Sequence, residues 1–178
     1  GVDTDLYSRQ IGTFGMETMG KLIKLKILIF GLRGFGVEIA KNIILSGPQS
    51  VHIYDPILTQ INDLGANFYL SEEDINTKNR DEACLEKLRE LNPYVEVSVL
   101  KLEKSDNFIQ YCQLFCEKLI QYNVVVFTEL QPINFLTAVN NVCRQNNIKF
   151  IYAFCLGLTG YVFTDFGPEH TIFYSDEG

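Results

Sequence analysis

The residues best placed to do chemistry lie in Gly31-Leu32-Arg33-Gly34-Phe35-Gly36, directly after the apolar run Lys26-Ile-Leu-Ile-Phe30. A helical apolar spacing begins beyond them, at Ile39, Ala40, Ile43 and Ile44. Strand, glycine-rich turn and helix in that order are the setting of the dinucleotide fingerprint Gly-x-Gly-x-x-Gly, whose backbone N–H groups hold a pyrophosphate at the helix N-terminus. Gly31 and Gly36 fall on the first and third glycines, and Arg33 stands on the second. A Cβ and a guanidinium there occupy space that close backbone approach to a phosphate requires. The motif reads as a nucleotide loop with a fault. Arg33 is open to two readings. It fills the vacated phosphate pocket, paired with an acid such as Asp55 or Glu38, or it binds an anion itself near the helix N-terminus.

Asp55 is the second candidate. It ends the apolar run Ser50–Tyr54, at the distance from Gly31 where a nucleotide fold places the acid that binds a ribose hydroxyl. The competing reading is an ordinary turn-initiating Asp before Pro56.

Positioning these residues requires alternating strands and helices, and the hydrophobic pattern predicts them. After an N-terminal helical region at 5–22 come a strand at 26–30, a helix at 36–46 and a strand at 50–54. A polar stretch at 56–79 is too long for a simple connection and reads as a functional or partner-facing loop. A helix at 80–91 is closed by Asn92-Pro93. Strands at 95–100, 123–128 and 148–154 then alternate with helices at 107–121 and 132–146. A last strand within 157–167 is expected to run antiparallel. Continuously apolar strands separated by helices predict an α/β, Rossmann-like fold: a mostly parallel sheet with helices on both faces.

Composition narrows the function classes. A length of 178 residues and 47% apolar residues predict a single domain with a sizeable core. A net charge of −7 argues against nucleic acid or an anionic membrane surface as partner. No apolar run approaches the roughly 20 residues of a membrane span. The five cysteines are scattered through apolar segments with neither His52 nor His170 near them, so buried, reduced thiols are expected rather than a metal site. A cytoplasmic or nuclear setting follows. With only two histidines, hydrolase chemistry of the Ser-His-Asp or Cys-His kind is not supported.

Four separated motifs then carry a resemblance: Tyr7-Ser8-Arg9-Gln10-Ile11, the run Gly31 to Leu45, Phe68-Tyr-Leu-Ser-Glu-Glu-Asp-Ile75, and Asp165-Phe-Gly167. In this order they resemble the N-terminal, inactive adenylation half of ubiquitin-activating enzymes, with the related subunit of the SUMO-activating enzyme next. The resemblance covers essentially the whole chain. It implies that residues 1–178 form one inactive adenylation domain of a larger chain, paired with an active half that binds ATP and magnesium and adenylates the C-terminus of ubiquitin or a ubiquitin-like protein. This fragment is expected to hold no cofactor and no metal of its own.

The same resemblance permits a residue-by-residue test. Active halves carry Asp-x-Asp after the second strand, and here Asp55-Pro56-Ile57 lacks the second acid. Their phosphate-contacting Arg corresponds to Ala66, and their ATP-binding Lys falls on Arg80. Their metal-binding Asp falls near Thr128-Glu129-Leu130, where Glu129 is the only acid. The zinc-binding Cys-x-x-Cys pairs of many active halves are absent. These losses remove phosphate neutralisation and metal binding together. The degenerate pocket comprises Gly31, Arg33, Gly36, Asp55 and Arg80. Arg9 corresponds to the arginine that reaches from one half into its partner's nucleotide site, and is the catalytic candidate, in trans; as a residue type it suits bidentate phosphate contact. The alternative is an autonomous nucleotide-binding enzyme, either a homodimeric adenylyltransferase or an NAD-type oxidoreductase.

Overall fold

The computed structural model describes residues 20–65, 67, 69–155, 160–165 and 171–176, with side chains up to residue 153. Arg9, Ala66, Phe166, Gly167 and most of the predicted helical region 5–22 lie outside the described residues; Asp165 ends a described strand, and residues 20–22, at the end of the helical region, are helical.

Strands β1 (Lys26–Phe30), β2 (Ser50–Tyr54), β3 (Glu96–Val99), β4 (Val124–Phe127), β5 (Lys149–Cys155), β6 (Gly160–Asp165) and β7 (Thr171–Asp176) form one sheet in the order β3-β2-β1-β4-β5-β6-β7. The first five are parallel, and β6 and β7 add on antiparallel to β5 and to each other. Helices α1 (Gly34–Ser46), α2 (Arg80–Glu90), α3 (Phe108–Leu119) and α4 (Ile133–Gln145) make the crossovers. The predicted α/β architecture is the observed one. Helix α1 begins two residues earlier than the apolar spacing indicates, because its first turn is Gly34-Phe35-Gly36 and carries no periodic apolar signal. The predicted final strand is β6, and β7 is an addition that the sequence reading did not contain.

Alternation along β1 sorts the core into two layers. Leu28 and Phe30 face α3 and α4 in a cluster with Tyr54, Phe115, Phe127, Phe135 and Phe150. Ile27 and Ile29 face the other way, with Val37, Ala40 and Ile44 of α1 and Cys84 and Leu88 of α2. Helices therefore cover both faces, as period-2 side-chain alternation in a doubly covered sheet demands.

The stretch 56–79 contains two short 3₁₀ turns, Ile61–Gly65 and Glu72–Asp74. Ser71 and Asp74 close the second turn as a capping box. Cys84 and Cys143 are buried, as expected, whereas Cys112 and Cys116 on α3 are only partly so; all four are free thiols.

Candidate functional site

The chain leaves β1 toward β2 and β3 on one side and returns through β4 on the other, so the strand order reverses between β1 and β4. In open α/β sheets a crevice opens at the carboxyl ends of the strands at this point. The predicted loop, Gly31 to Gly36, lies there.

The loop is shaped by close packing. Gly31 has φ +106 and donates its N–H to the Tyr54 carbonyl at 2.9 Å. The Thr128 hydroxyl lies 2.8 Å from the Gly31 carbonyl oxygen and 3.1 Å from that of Phe30, as a donor to both. A Cβ on Gly31 would meet that hydroxyl, and a Cβ on Gly36 would fall on the Gly31 carbonyl. Left-handed backbone at one position and helix-to-strand contact at the other explain both glycines without a ligand. Arg33 is the N-cap of α1 in extended conformation and makes no side-chain capping bond.

Arg33 pairs with neither of its predicted acids. Its Nε lies 3.5 Å from Glu129 Oε1. Glu38 points along α1 to Lys41 at 3.8 Å, and Asp55 is taken up elsewhere. The Glu129 side chain lies over the first glycine of the turn: a Cβ on Gly31 would be 3.0 Å from its Cγ and 3.3 Å from its Cδ. Burial pushes the Glu129 carboxyl above its usual range, and the Asp55 charge adds to this. Arg33, through its guanidinium and backbone N–H, and Arg80 pull the other way.

Asp55, 1% exposed, ties the loops together. Oδ2 accepts the Leu32 N–H at 2.8 Å and Oδ1 the Ile57 N–H at 3.3 Å, the second an Asx-type contact of a turn-forming Asp. Arg80 is also 1% exposed. Its Nε donates to Asp63 Oδ2 at 2.9 Å and its Nη1 sits 3.7 Å from Asp55 Oδ2. Burial raises the Asp55 carboxyl despite the Leu32 N–H and Arg80, which favour its charge. Asp81 supports the cluster from α2. Its carboxylate accepts N–H groups from Asp55 and Glu82, and burial with those two neighbouring carboxylates pushes it up to about 6.

The geometry thus brings together Gly31, Arg33, Gly36, Asp55 and Arg80 at one switch point. Sequence reasoning missed Asp63, Asp81 and Thr128. Beside the ion cluster lies a cavity of about 250 Å³ walled by Arg33, Gly34, Gln60, Asn62, Asp63 and Arg80. A wider, open groove of about 740 Å³ runs over the ends of β2 and β3, past Tyr54, Asp81 and Tyr111. Among the described residues no cluster of three or more His, Cys, Asp or Glu has metal-binding geometry.

A family model described as the ThiF family matches residues 7–177. The chain belongs to the ThiF family. Among its relatives are ubiquitin-like modifier-activating enzyme 1 of Dictyostelium discoideum, 39% identical over 96% of this chain, and ubiquitin-activating enzyme E1 2 of Arabidopsis thaliana, 43% identical over 96%. The chain spans 16% and 15% of the lengths of these two relatives. The mouse (Mus musculus) ubiquitin-like modifier-activating enzyme 1 is 41% identical over 94% of this chain, which again spans 15% of it. The crystal structure of E. coli MccB with ATP superimposes with a TM-score of 0.66 at 24% identity, covering 82% of this chain and 40% of that one, and shares the fold.

Proposed function

We propose that this ThiF-family chain is the non-catalytic adenylation half of a ubiquitin-activating enzyme. It pairs with an active adenylation half and lends Arg9 in trans to adenylation of the C-terminus of ubiquitin or a ubiquitin-like protein. The observation that carries this reading is the self-filled loop. Where an active site would receive phosphate, the Glu129 side chain lies over Gly31 and meets Arg33. Arg80, at the position that the resemblance gives to an ATP-binding lysine, is spent on Asp63 and Asp55. Neither cation is left to neutralise a triphosphate, and adenylate chemistry depends on that neutralisation. ATP and magnesium then belong to the active half, and the paired enzyme works in cytoplasm and nucleus. Partner contact draws on exposed apolar side chains such as Ile57, Ile61, Leu130 and Ile133.

The test is Arg9→Ala in the complete enzyme. Loss of a guanidinium that stabilises transition-state charge should slow ATP–pyrophosphate exchange by about 100-fold or more, with an unchanged melting curve. Unchanged exchange removes the role given to Arg9. In parallel, titration of the isolated chain with ATP and magnesium should give no saturable binding at micromolar nucleotide; such binding would favour an autonomous nucleotide enzyme.

A further inference from the structure

We propose that the open groove over the ends of β2 and β3 is a docking site for an arginine side chain carried by an extended segment of a partner protein, with the Asp81 carboxylate as its counter-ion. The proposal goes beyond the reading above and depends neither on Arg9 nor on the turn at Gly31.

Three observations carry it. The first is a charge without a partner at the floor of the groove. Asp81 is 3% exposed and lines it. Arg80, its neighbour in sequence and a buried cation, turns its guanidinium to Asp63 and Asp55 instead. Among the described residues no lysine, arginine or histidine forms an ion pair with Asp81, and the neighbouring charges that act on it are those of Asp55 and Glu82. A buried carboxylate without a cation is unfavourable, and a cation brought by a partner offsets part of that penalty.

Second, the carboxylate has acceptor capacity left. Asp81 Oδ2 accepts the Asp55 N–H at 3.0 Å, and Oδ1 accepts the Glu82 N–H at 2.7 Å. An ionised carboxylate offers about four lone-pair positions, so each oxygen keeps one, the pattern that a planar guanidinium fork meets with two parallel N–H groups. The Tyr54 and Tyr111 hydroxyls line the same groove, 3.2 Å apart. One donates to the other, and phenol lone pairs remain for a further guanidinium N–H.

Third, charge and shape select the ligand. Glu82, Glu103 and Asp106 join Asp81 in the lining against Lys101 and Lys104, an excess of two negative charges. That balance disfavours phosphate groups and attracts a cation. With a volume of about 740 Å³, open to solvent, the groove has room for a side chain and for the backbone that carries it. Pro56 and Leu58, both exposed, give it an apolar wall for the methylene stem of an arginine.

The experiment titrates the capped peptide acetyl-Gly-Ala-Arg-Ala-Gly-amide into the 178-residue chain at low, constant ionic strength, following heat and the side-chain carboxyl resonance of Asp81. The peptide should bind saturably, at least about tenfold more tightly than the same peptide with uncharged citrulline in place of arginine, as expected for a charge-assisted bidentate contact. Asp81→Asn, which keeps the shape and removes the charge, should weaken binding by at least about tenfold. Glu90→Gln, at an exposed acid of α2 outside the groove, should leave it unchanged. Equal binding of the arginine and citrulline peptides overturns the proposal, as does undiminished binding by Asp81→Asn or no saturable binding by the wild-type chain. The citrulline comparison needs no variant, so it is decisive even where Asp81→Asn does not fold. Free argininamide separates the sources: weaker binding than the peptide supports a protein segment, and binding as tight as the peptide's overturns that assignment in favour of a small cation. ATP with magnesium should not displace the peptide; displacement at micromolar nucleotide overturns the charge argument. A failed Arg9 test would leave all these outcomes unchanged, because no partner half is present.

Discussion

The two faces of the sheet are held by different chemistry. Toward α3 and α4 the core is aromatic: Phe30, Phe115, Phe127 and Phe135 pack with ring centroids 5.0–6.2 Å apart, and a row of rings, Tyr54, Phe30, Phe127 and Tyr152, crosses four strands in register. Toward α1 and α2 the core is aliphatic, built from Ile27, Ile29, Ile44, Ile53 and Leu88 around the smaller Val37, Ala40 and Cys84, and Gly36 brings α1 hard against the strand ends. At its carboxyl rim this second face gives way to buried charge, Asp55, Asp63 and Arg80. Ring packing is stabilising outright, whereas a buried ion cluster roughly offsets its own desolvation. The face that carries the site is therefore the one whose stability depends on every partner being present.

The sharpest way to break this comparison is a pair of truncations, one on each face. Phe127→Ala should cost about 3–5 kcal/mol through lost burial and a cavity. Arg80→Ala should cost a similar amount, about 3–5 kcal/mol, but through two uncompensated carboxylates. Urea unfolding distinguishes the two through pH. Lowering pH toward the carboxyl range should restore part of the loss in Arg80→Ala and none in Phe127→Ala. Equal pH response in both would end the contrast.

A smaller effect concerns Asp81. Its folded pKa, about 6, lies above the ordinary 3.8, so the folded chain holds this proton more tightly than the unfolded one. Stability from this group is thus full below 3.8 and is lost as pH rises through about 6, by an amount on the order of 3 kcal/mol. Asp55 and Glu129 are shifted in the same direction. Comparing urea midpoints of wild type and Asp81→Asn across this window should show a flatter profile in the variant. The same slope in both would remove Asp81 from the account. The least effect belongs to Arg33→Gln. That side chain is 63% exposed, so its pair with Glu129 should be worth no more than about 1 kcal/mol of stability by thermal unfolding. A large loss would make the pair a structural keystone rather than an occupant of the turn.

Much of this was legible in the sequence. Apolar runs ending in Gly31 and Asp55 gave away β1 and β2, since doubly covered strands are apolar on both faces. The faulty loop was legible because one position, Arg33, breaks a pattern whose spacing is otherwise kept. Its partner was not. Glu129 reaches Arg33 only because β4 lies beside β1, a neighbour fixed by strand order, while Glu38 and Asp55 are the nearer acids by simpler criteria. Asp63 was hidden for the same reason, inside a stretch that carries no periodic signal. Asp81 is an ordinary first-turn acid in sequence, and only burial against Asp55 makes it unusual. Strand β7 follows Gly167-Pro168-Glu169-His170, and its six residues carry too short an alternation to announce an antiparallel edge.

The Thr128 hydroxyl sets the turn from a residue 97 and 98 positions away along the chain. Gly31 and Gly36 come early in the 178-residue chain, yet what holds their shape arrives only at residue 128, at the end of the second of β1's two neighbouring strands. During synthesis, β1 and α1 emerge long before β4 and must wait with one edge of β1 unpaired. The turn's geometry is therefore a property of the finished sheet, acquired late, and it cannot be inherited by any shorter piece that stops before β4.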